Sequence, residues 1–397
     1  MTKEVHGGNI YKYERKMIDF SANLNPLGMP EKAKEAIISN IDKYENYPDP
    51  FNRELREKVS KFQKVKEEQL SFGNGAADII FKIALAFKPK RALIVEPTFS
   101  EYEEALSLAG TDIDYFILKE EDGFVLDMDG LIKQIEEERE NPYDIVFICN
   151  PNNPTGIPVE REKILKLAGA TSKTGAKLVI DQCFSEFMEE EEKYSVLDDI
   201  AKADNLTNLD VLTNSDGAAP ADQVDCAAPA DLTGREDEND RTKLKGVIIL
   251  KAFTKIFAMA GLRLGYCVCS EEETADQISS ILQPWSVSTV ASKAGVYALS
   301  EEGFIEKTKK YITTQRTYLI KELEKIGMKV FNTKTNYIFF KTEESIIKEL
   351  EEKGFLVRSC SNYPTLDSRF YRIAVRTKDE NIAFIKALQD ILKKEEE

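Results

Sequence analysis

Runs of β-branched and aliphatic residues alternate with amphipathic stretches through the middle of the chain. RALIVEP from Arg91, DIVFICNP from Asp144, KLVIDQ from Lys177 and GVIILKAF from Gly246 are apolar almost throughout, not at every second position. That texture predicts strands covered on both faces. Between them, AADIIFKIALAF from Ala76 and PVEREKILKLAGATSK from Pro158 carry helical spacing. Strand and helix in alternation over this length predict an α/β domain with a mostly parallel sheet flanked by helices. Beyond about residue 290 the texture changes. Helical ASKAGVYALS and a long charged helix lead into KVFN, NYIFFK and RFYRIAVR, the pattern of a smaller α+β domain. The expected division is an N-terminal segment over 1–40 that joins the small domain, a large domain over 41–285 and a small domain over 286–397. One stretch breaks the pattern. Residues 205–243 are polar and acidic, contain AAPAD twice and lack apolar periodicity, so they read as a disordered insertion with no catalytic role.

Composition narrows the partners. The chain has 54 Lys and Arg against 70 Asp and Glu, a net charge of -16. It has no basic excess to meet a phosphate backbone, so nucleic acid is not an expected partner. No run approaches the roughly 18 apolar residues of a membrane span. The opening MTKEVHGGNIYKYERK lacks the apolar core of an export signal, so a cytoplasmic protein with no membrane partner is expected. The six cysteines, Cys149, Cys183, Cys226, Cys267, Cys269 and Cys360, form no CxxC pair and read as buried free thiols. A single histidine, His6 in VHGGNI, argues against a zinc site and against Ser-His-Asp catalysis. Taken alone, it reads as a stray terminal residue.

Chemistry concentrates in KAFTKIFAMAGLRLGY, from Lys251 to Tyr266. A lysine near the end of a buried strand loses its proton through desolvation and can form a Schiff base with an aldehyde cofactor. Arg263 follows closely enough to hold such a cofactor's phosphate. GNGAAD, from Gly73 to Asp78, opens a helix whose free amides and dipole make an anion site. NPNNPTG, from Asn150 to Gly156, ends a strand with a turn that carries an asparagine amide to the sheet's carboxyl edge. VIDQCF puts Asp181 at the next strand end, where a carboxylate can pair with a protonated pyridine nitrogen. Asparagine, aspartate and lysine thus follow one another at consecutive strand ends.

In combination these motifs resemble the fold-type I pyridoxal-phosphate enzymes, the aspartate aminotransferase superfamily. The resemblance implies that fold, with a large cofactor-binding domain and a smaller C-terminal one, and pyridoxal 5'-phosphate as cofactor. Lys255 would be the Schiff-base lysine and Asp181 the partner of the pyridine nitrogen. Asn153 would donate to the ring's phenolic oxygen, and Phe99 would stack on the ring. Thr254, Arg263 and the amides of Ala76 and Ala77 would hold the phosphate. Tyr47 in NYPDP resembles the tyrosine that reaches the phosphate from a neighbouring subunit, which implies a homodimer with shared active sites.

Within the superfamily, IDFSANLNPLGMP from Ile18, QPWSVSTVA from Gln283 and VRSCSNYPTLDSRFYRIAVR from Val357 resemble the threonine-phosphate decarboxylases of cobalamin biosynthesis. The likeness runs from HGGNI to the final helix, omitting 205–243. It implies decarboxylation of L-threonine O-3-phosphate to (R)-1-amino-2-propanol O-2-phosphate and CO2. Arg358 and Arg372 would grip the substrate with Asn23, Asn153 and His6, the last donating to its phosphate. Histidinol-phosphate aminotransferases share NPNNPTG and the lysine motif, and they define the alternative of transamination. A non-catalytic regulator on the same fold is a third reading, weakened by the presence of Lys255, Asp181 and Asn153. Phe184 replaces a tyrosine usual in those aminotransferases, which leans away from transamination. Ala252 replaces a phosphate-binding serine, and a lost hydrogen bond of about 1–3 kcal/mol predicts weaker cofactor binding. Gln182 and Cys183 replace Glu-Ala and are expected to alter only packing behind the ring.

Overall fold

The computed structural model describes residues 6–202, 244–281 and 283–395; the acidic stretch 205–243, with Cys226, lies outside them. A short β1 (Ile18–Asp19) precedes the main sheet. That sheet is built from β2 (Leu70–Gly73), β3 (Arg91–Glu96), β4 (Asp112–Ile117), β5 (Ile145–Cys149), β6 (Lys177–Asp181), β7 (Val247–Ala252) and β8 (Gly265–Cys269). Its strand order is β2-β8-β7-β6-β5-β3-β4. Strands β3 to β7 run parallel, and the four apolar runs of the sequence are β3, β5, β6 and β7. Every residue of β5 and β7 is buried, as strands between two helical layers must be. The fully buried Lys251 on β7 is satisfied by donating to Ser185 Oγ at 2.7 Å, Glu191 at 2.9 Å and Glu186 at 3.1 Å.

β8 departs from the expected parallel pattern: it runs antiparallel to both β7 and β2. GYCVC belongs to the tail of the lysine motif in sequence, yet it forms a central strand. The link from β7 holds one helical turn, Phe253–Ile256, and a 3-10 turn, Ala260–Leu262. Neither is a helix that could carry the chain across the sheet, so the chain returns antiparallel.

The C-terminal part contains β9 (Lys329–Val330), β10 (Tyr337–Lys341), β11 (Phe355–Leu356), β12 (Arg358–Ser359) and β13 (Phe370–Ala374). An antiparallel sheet runs β12-β13-β10-β9, while β1 pairs with β11 in parallel. The N-terminal segment therefore sits against the C-terminal elements. Phe20 is fully buried there and stacks on Phe384 at 4.5 Å, a burial that contributes about 1.5–3 kcal/mol. From Phe20 the chain runs to the lysine-bearing turn, where Asn25 N donates to the Lys255 carbonyl and Asn25 Nδ2 to that of Ile256. At the other side of the junction Gly156 has φ +73, and a Cβ there would stand 2.0 Å from Thr333 Oγ1. Only glycine fits both demands, so the NPNNPTG turn closes against the C-terminal part. No helix among the described residues is long and apolar enough to cross a membrane. The five described cysteines are buried and unpaired.

Candidate active site

The carboxyl ends of the parallel strands and the C-terminal sheet enclose a cavity of about 330 Å³. At the end of β6, Asp181 accepts from the Tyr102 hydroxyl at 2.7 Å and from the Cys183 amide at 2.9 Å. Burial and the Asp181 charge push the Tyr102 phenol far above its ordinary value, so it stays a proton donor to that carboxylate. Past the end of β7, the turn Phe253–Ile256 presents Lys255, whose Nζ lies 5.6 Å from the centre of the Phe184 ring. Desolvation, then the Arg372 charge, pushes Lys255 down to about 8. A substantial neutral fraction near physiological pH suits a lysine that must attack a carbonyl.

The turn after β5 is locked by its own side chains. Asn150 and Asn152 bond to Val159, Tyr194, Pro97 and Thr155, which leaves Asn153 directed by one partner, Arg372 Nη1. Arginine has no acceptor, so the amide oxygen of Asn153 faces it and the NH2 remains a donor. The helix Ala76–Phe87 begins beside this group with Gly75, φ +86, where a Cβ would stand 2.8 Å from Arg263 Nη2. Gly265 on β8 lets that helix start close by, since a Cβ there would be 2.5 Å from the Ala76 nitrogen. First-turn amides have no partner within their own helix. Those of Ala76 and Ala77, with Thr254 and Arg263, form an anion cradle on the cavity wall.

The opposite wall is cationic. Arg358 on β12 and Arg372 on β13 are direct cross-strand partners. Arg372 Nη2 donates to the Ser21 carbonyl at 2.8 Å, and Arg358 Nη2 to Asn362 at 2.7 Å. His6 lines the mouth, its Nε2 2.9 Å from Glu101 Oε1. Asn23 is 2% exposed, and neither atom of its amide has a partner; Arg372 Nε is likewise unpartnered. Buried polar groups in this state are available to pair with a ligand entering the cavity.

Every site residue named from the sequence lines this cavity except Tyr47. Tyr47 is 80% exposed and stacks on Trp285 at 4.5 Å, away from the cavity of its own chain. Sequence reasoning missed Tyr102 behind Asp181, Glu101 beside His6, and the lining residues Cys149 and Tyr363. Cys183, expected to act only on packing behind the ring, lines the cavity itself. Tyr102 and Glu101 adjoin Phe99 in FSEY, but only their contacts across the fold reveal a role.

The model of the aminotransferase class I and II family matches residues 15–388. The chain belongs to this family. Within it, the chain is 31% identical to the threonine-phosphate decarboxylase of Salmonella typhimurium, over 98% of this chain and 96% of the relative. It is 30% identical to a histidinol-phosphate aminotransferase of Desulfitobacterium hafniense strain DCB-2, over 96% and 94%. The solved histidinol-phosphate aminotransferase of Clostridium acetobutylicum superposes with a TM-score of 0.77 at 26% identity, covering 94% of this chain and 98% of that one. The fold is that of the fold-type I pyridoxal-phosphate enzymes of the family. Pyridoxal 5'-phosphate fits the residues present: a depressed lysine, a carboxylate already fixed by two donors, and an amide cradle backed by Arg263. Two expected contacts are absent, because Ala252 and Phe184 line the cavity without a hydroxyl.

Proposed function

We propose that this protein is a pyridoxal-phosphate-dependent decarboxylase of cobalamin biosynthesis, converting L-threonine O-3-phosphate to (R)-1-amino-2-propanol O-2-phosphate and CO2. The observation that carries this reading is the cross-strand pair Arg358 and Arg372 in the cavity that holds Lys255 and Asp181. Two guanidinium groups on one wall call for a ligand with two anionic ends. An amino acid phosphate has both; histidinol phosphate has only its phosphate. The extended likeness to a relative named threonine-phosphate decarboxylase supports the same choice.

When bound, pyridoxal phosphate supplies an electron sink for the bonding pair released at the substrate's α-carbon. Asp181 would hold a proton on the pyridine nitrogen, and Tyr102 and the Cys183 amide hold Asp181 in place. The Asn153 NH2 would donate to the phenolic oxygen, while Ala76, Ala77, Thr254 and Arg263 would anchor the phosphate. Arg358 and Arg372, with Asn23 and His6, would grip the substrate's anionic ends and so orient the bonds at its α-carbon. Lys255 Nζ would deliver to the α-carbon the proton that replaces the departing CO2.

A homodimer in the cytoplasm, folded in the three parts given above, completes the reading. Ile38, Ile41, Tyr47 and Phe51 are each more than 60% exposed along one short stretch of chain. Such an apolar surface suits burial against a second copy, which would bring Tyr47 of the partner subunit to the cofactor phosphate. Purified protein supplied with pyridoxal phosphate should release CO2 from L-threonine O-3-phosphate with no keto acid present. Amino transfer that requires a keto acid, without CO2, would establish the aminotransferase reading instead.

A further inference from the structure

A carboxylate at the mouth of a cavity built for anions needs a reason. Glu101 is such a group: it is 9% exposed, lines the cavity, and opens the helix Glu101–Leu108, so a rigid element fixes its place. Left unpaired, its charge would repel a phosphorylated substrate. Its partner is His6, with Nε2 at 2.9 Å.

The strap that carries His6 is seated firmly. A Cβ on Gly7 would stand 2.3 Å from the Ser21 carbonyl oxygen, so only glycine lets the strap lie there. The Gly8 amide donates to Ser21 Oγ at 2.7 Å. Ser21 also accepts from Arg372 through its carbonyl, which ties the strap to the arginine wall. The imidazole lies 6.2 Å from the Phe99 ring.

The protonation state of His6 then decides what it can do. A neutral imidazole that donates its one N–H to Glu101 presents a bare nitrogen as its other atom, and a phosphate oxygen is repelled by it. The imidazolium keeps a second N–H for the ligand. We propose that Glu101 is a positioning residue: its carboxylate holds His6 as an imidazolium whose free N–H completes, with Arg358, the subsite for the substrate's phosphate. This rests on the reading that the substrate is phosphorylated. The charged groups acting on the imidazole are Glu101 and Glu104 from the helix and Arg358 from β12. The hydrogen bond to Glu101 is the largest influence and raises His6 above its ordinary value, against desolvation and Arg358.

Because His6 is the only histidine, the imidazole signals of histidine-labelled holoenzyme report on it alone, provided any purification tag is histidine-free. NMR titration should place the wild-type midpoint above about 6.5, and Glu101→Gln should lower it, because desolvation and Arg358 still act on the imidazole. Inorganic phosphate should shift the imidazole signals of the wild type more than those of Glu101→Gln. In turnover at pH 8, Glu101→Gln should raise KM for threonine phosphate about tenfold, with kcat moving less. At pH 6.5 that penalty should shrink, because a larger share of the variant's imidazole is charged there than at pH 8. In a His6→Ala background, Glu101→Gln should raise KM no further. Equal titration midpoints in the two proteins, or a KM penalty independent of pH, would overturn the proposal. The NMR measurements need no turnover, so a protein releasing no CO2 would sink the decarboxylase reading while the titration still decides the role of Glu101.

Discussion

Asp181, Asn153 and Lys255 stand at or just beyond the ends of β6, β5 and β7, three adjacent parallel strands of one sheet. His6, Arg358 and Arg372 come from an N-terminal strap and a short sheet on the other side of the cavity. In the first group Asp181 is held at its strand end by Tyr102 and the Cys183 amide, while Asn153 bonds across the cavity, to Arg372. The second is held by bonds between distant parts of the chain, through Ser21 to Arg372 and from Asn336 to the Asn23 carbonyl. On the proposed reading, chemistry is placed where geometry is set by the sheet, and substrate selection where a strap and two arginines line the opposite wall. Substitutions at the sheet end should therefore act on kcat and the cofactor spectrum, and those at the strap end on KM.

The largest effect belongs to Lys255→Ala, which should cut turnover by on the order of a thousandfold or more while substrate still binds. In the wild-type protein stripped of cofactor, the rate of reconstitution with pyridoxal phosphate should climb with pH and level off above about 8, because only the neutral amine attacks an aldehyde. Asp181→Asn should lower kcat by on the order of a hundredfold, with KM changed less. Arg372→Lys loses the fork that reaches both Asn153 and Ser21, and should reduce kcat/KM by about 10- to 100-fold through both parameters. It sits on the boundary between the two regions, so an effect on KM alone would redraw that boundary.

His6→Ala should have the smallest effect, about a tenfold rise in KM with the cofactor absorbance unchanged. The pH dependence follows from the direction of the His6 shift. Its positive charge is present below its raised folded-state value and lost above it, so wild-type KM should increase as pH rises through that value. That comparison belongs above about pH 7, where the second ionisation of a phosphate monoester, centred near pH 6, is nearly complete. A KM for His6→Ala that still followed the same pH curve would remove His6 from the substrate subsite.

The parallel strands were legible because β3, β5, β6 and β7 are covered on both faces, and such strands leave uninterrupted apolar runs in a sequence. The sheet-end residues were legible for a related reason, as each polar group follows one of those runs directly. β8 was not, since its antiparallel direction depends on what the preceding link can span. Tyr102 and Asp181 meet across 79 positions with no spacing to announce it. The same holds for Glu101 and His6, where a carboxylate in FSEY gains meaning only when the strap folds over it. Tyr47 was singled out from its motif, yet it is exposed and does not line the cavity of its own chain.

The most direct test follows the carboxyl carbon itself. L-Threonine O-3-phosphate labelled with 13C at the carboxylate is incubated with the purified holoenzyme, no keto acid is added, and the label is followed by NMR. The result expected is loss of the carboxylate signal into CO2 and bicarbonate, with a stoichiometric gain of aminopropanol phosphate. A label that stays on the organic product, or leaves the substrate signal untouched until a keto acid is added, would contradict the decarboxylase account.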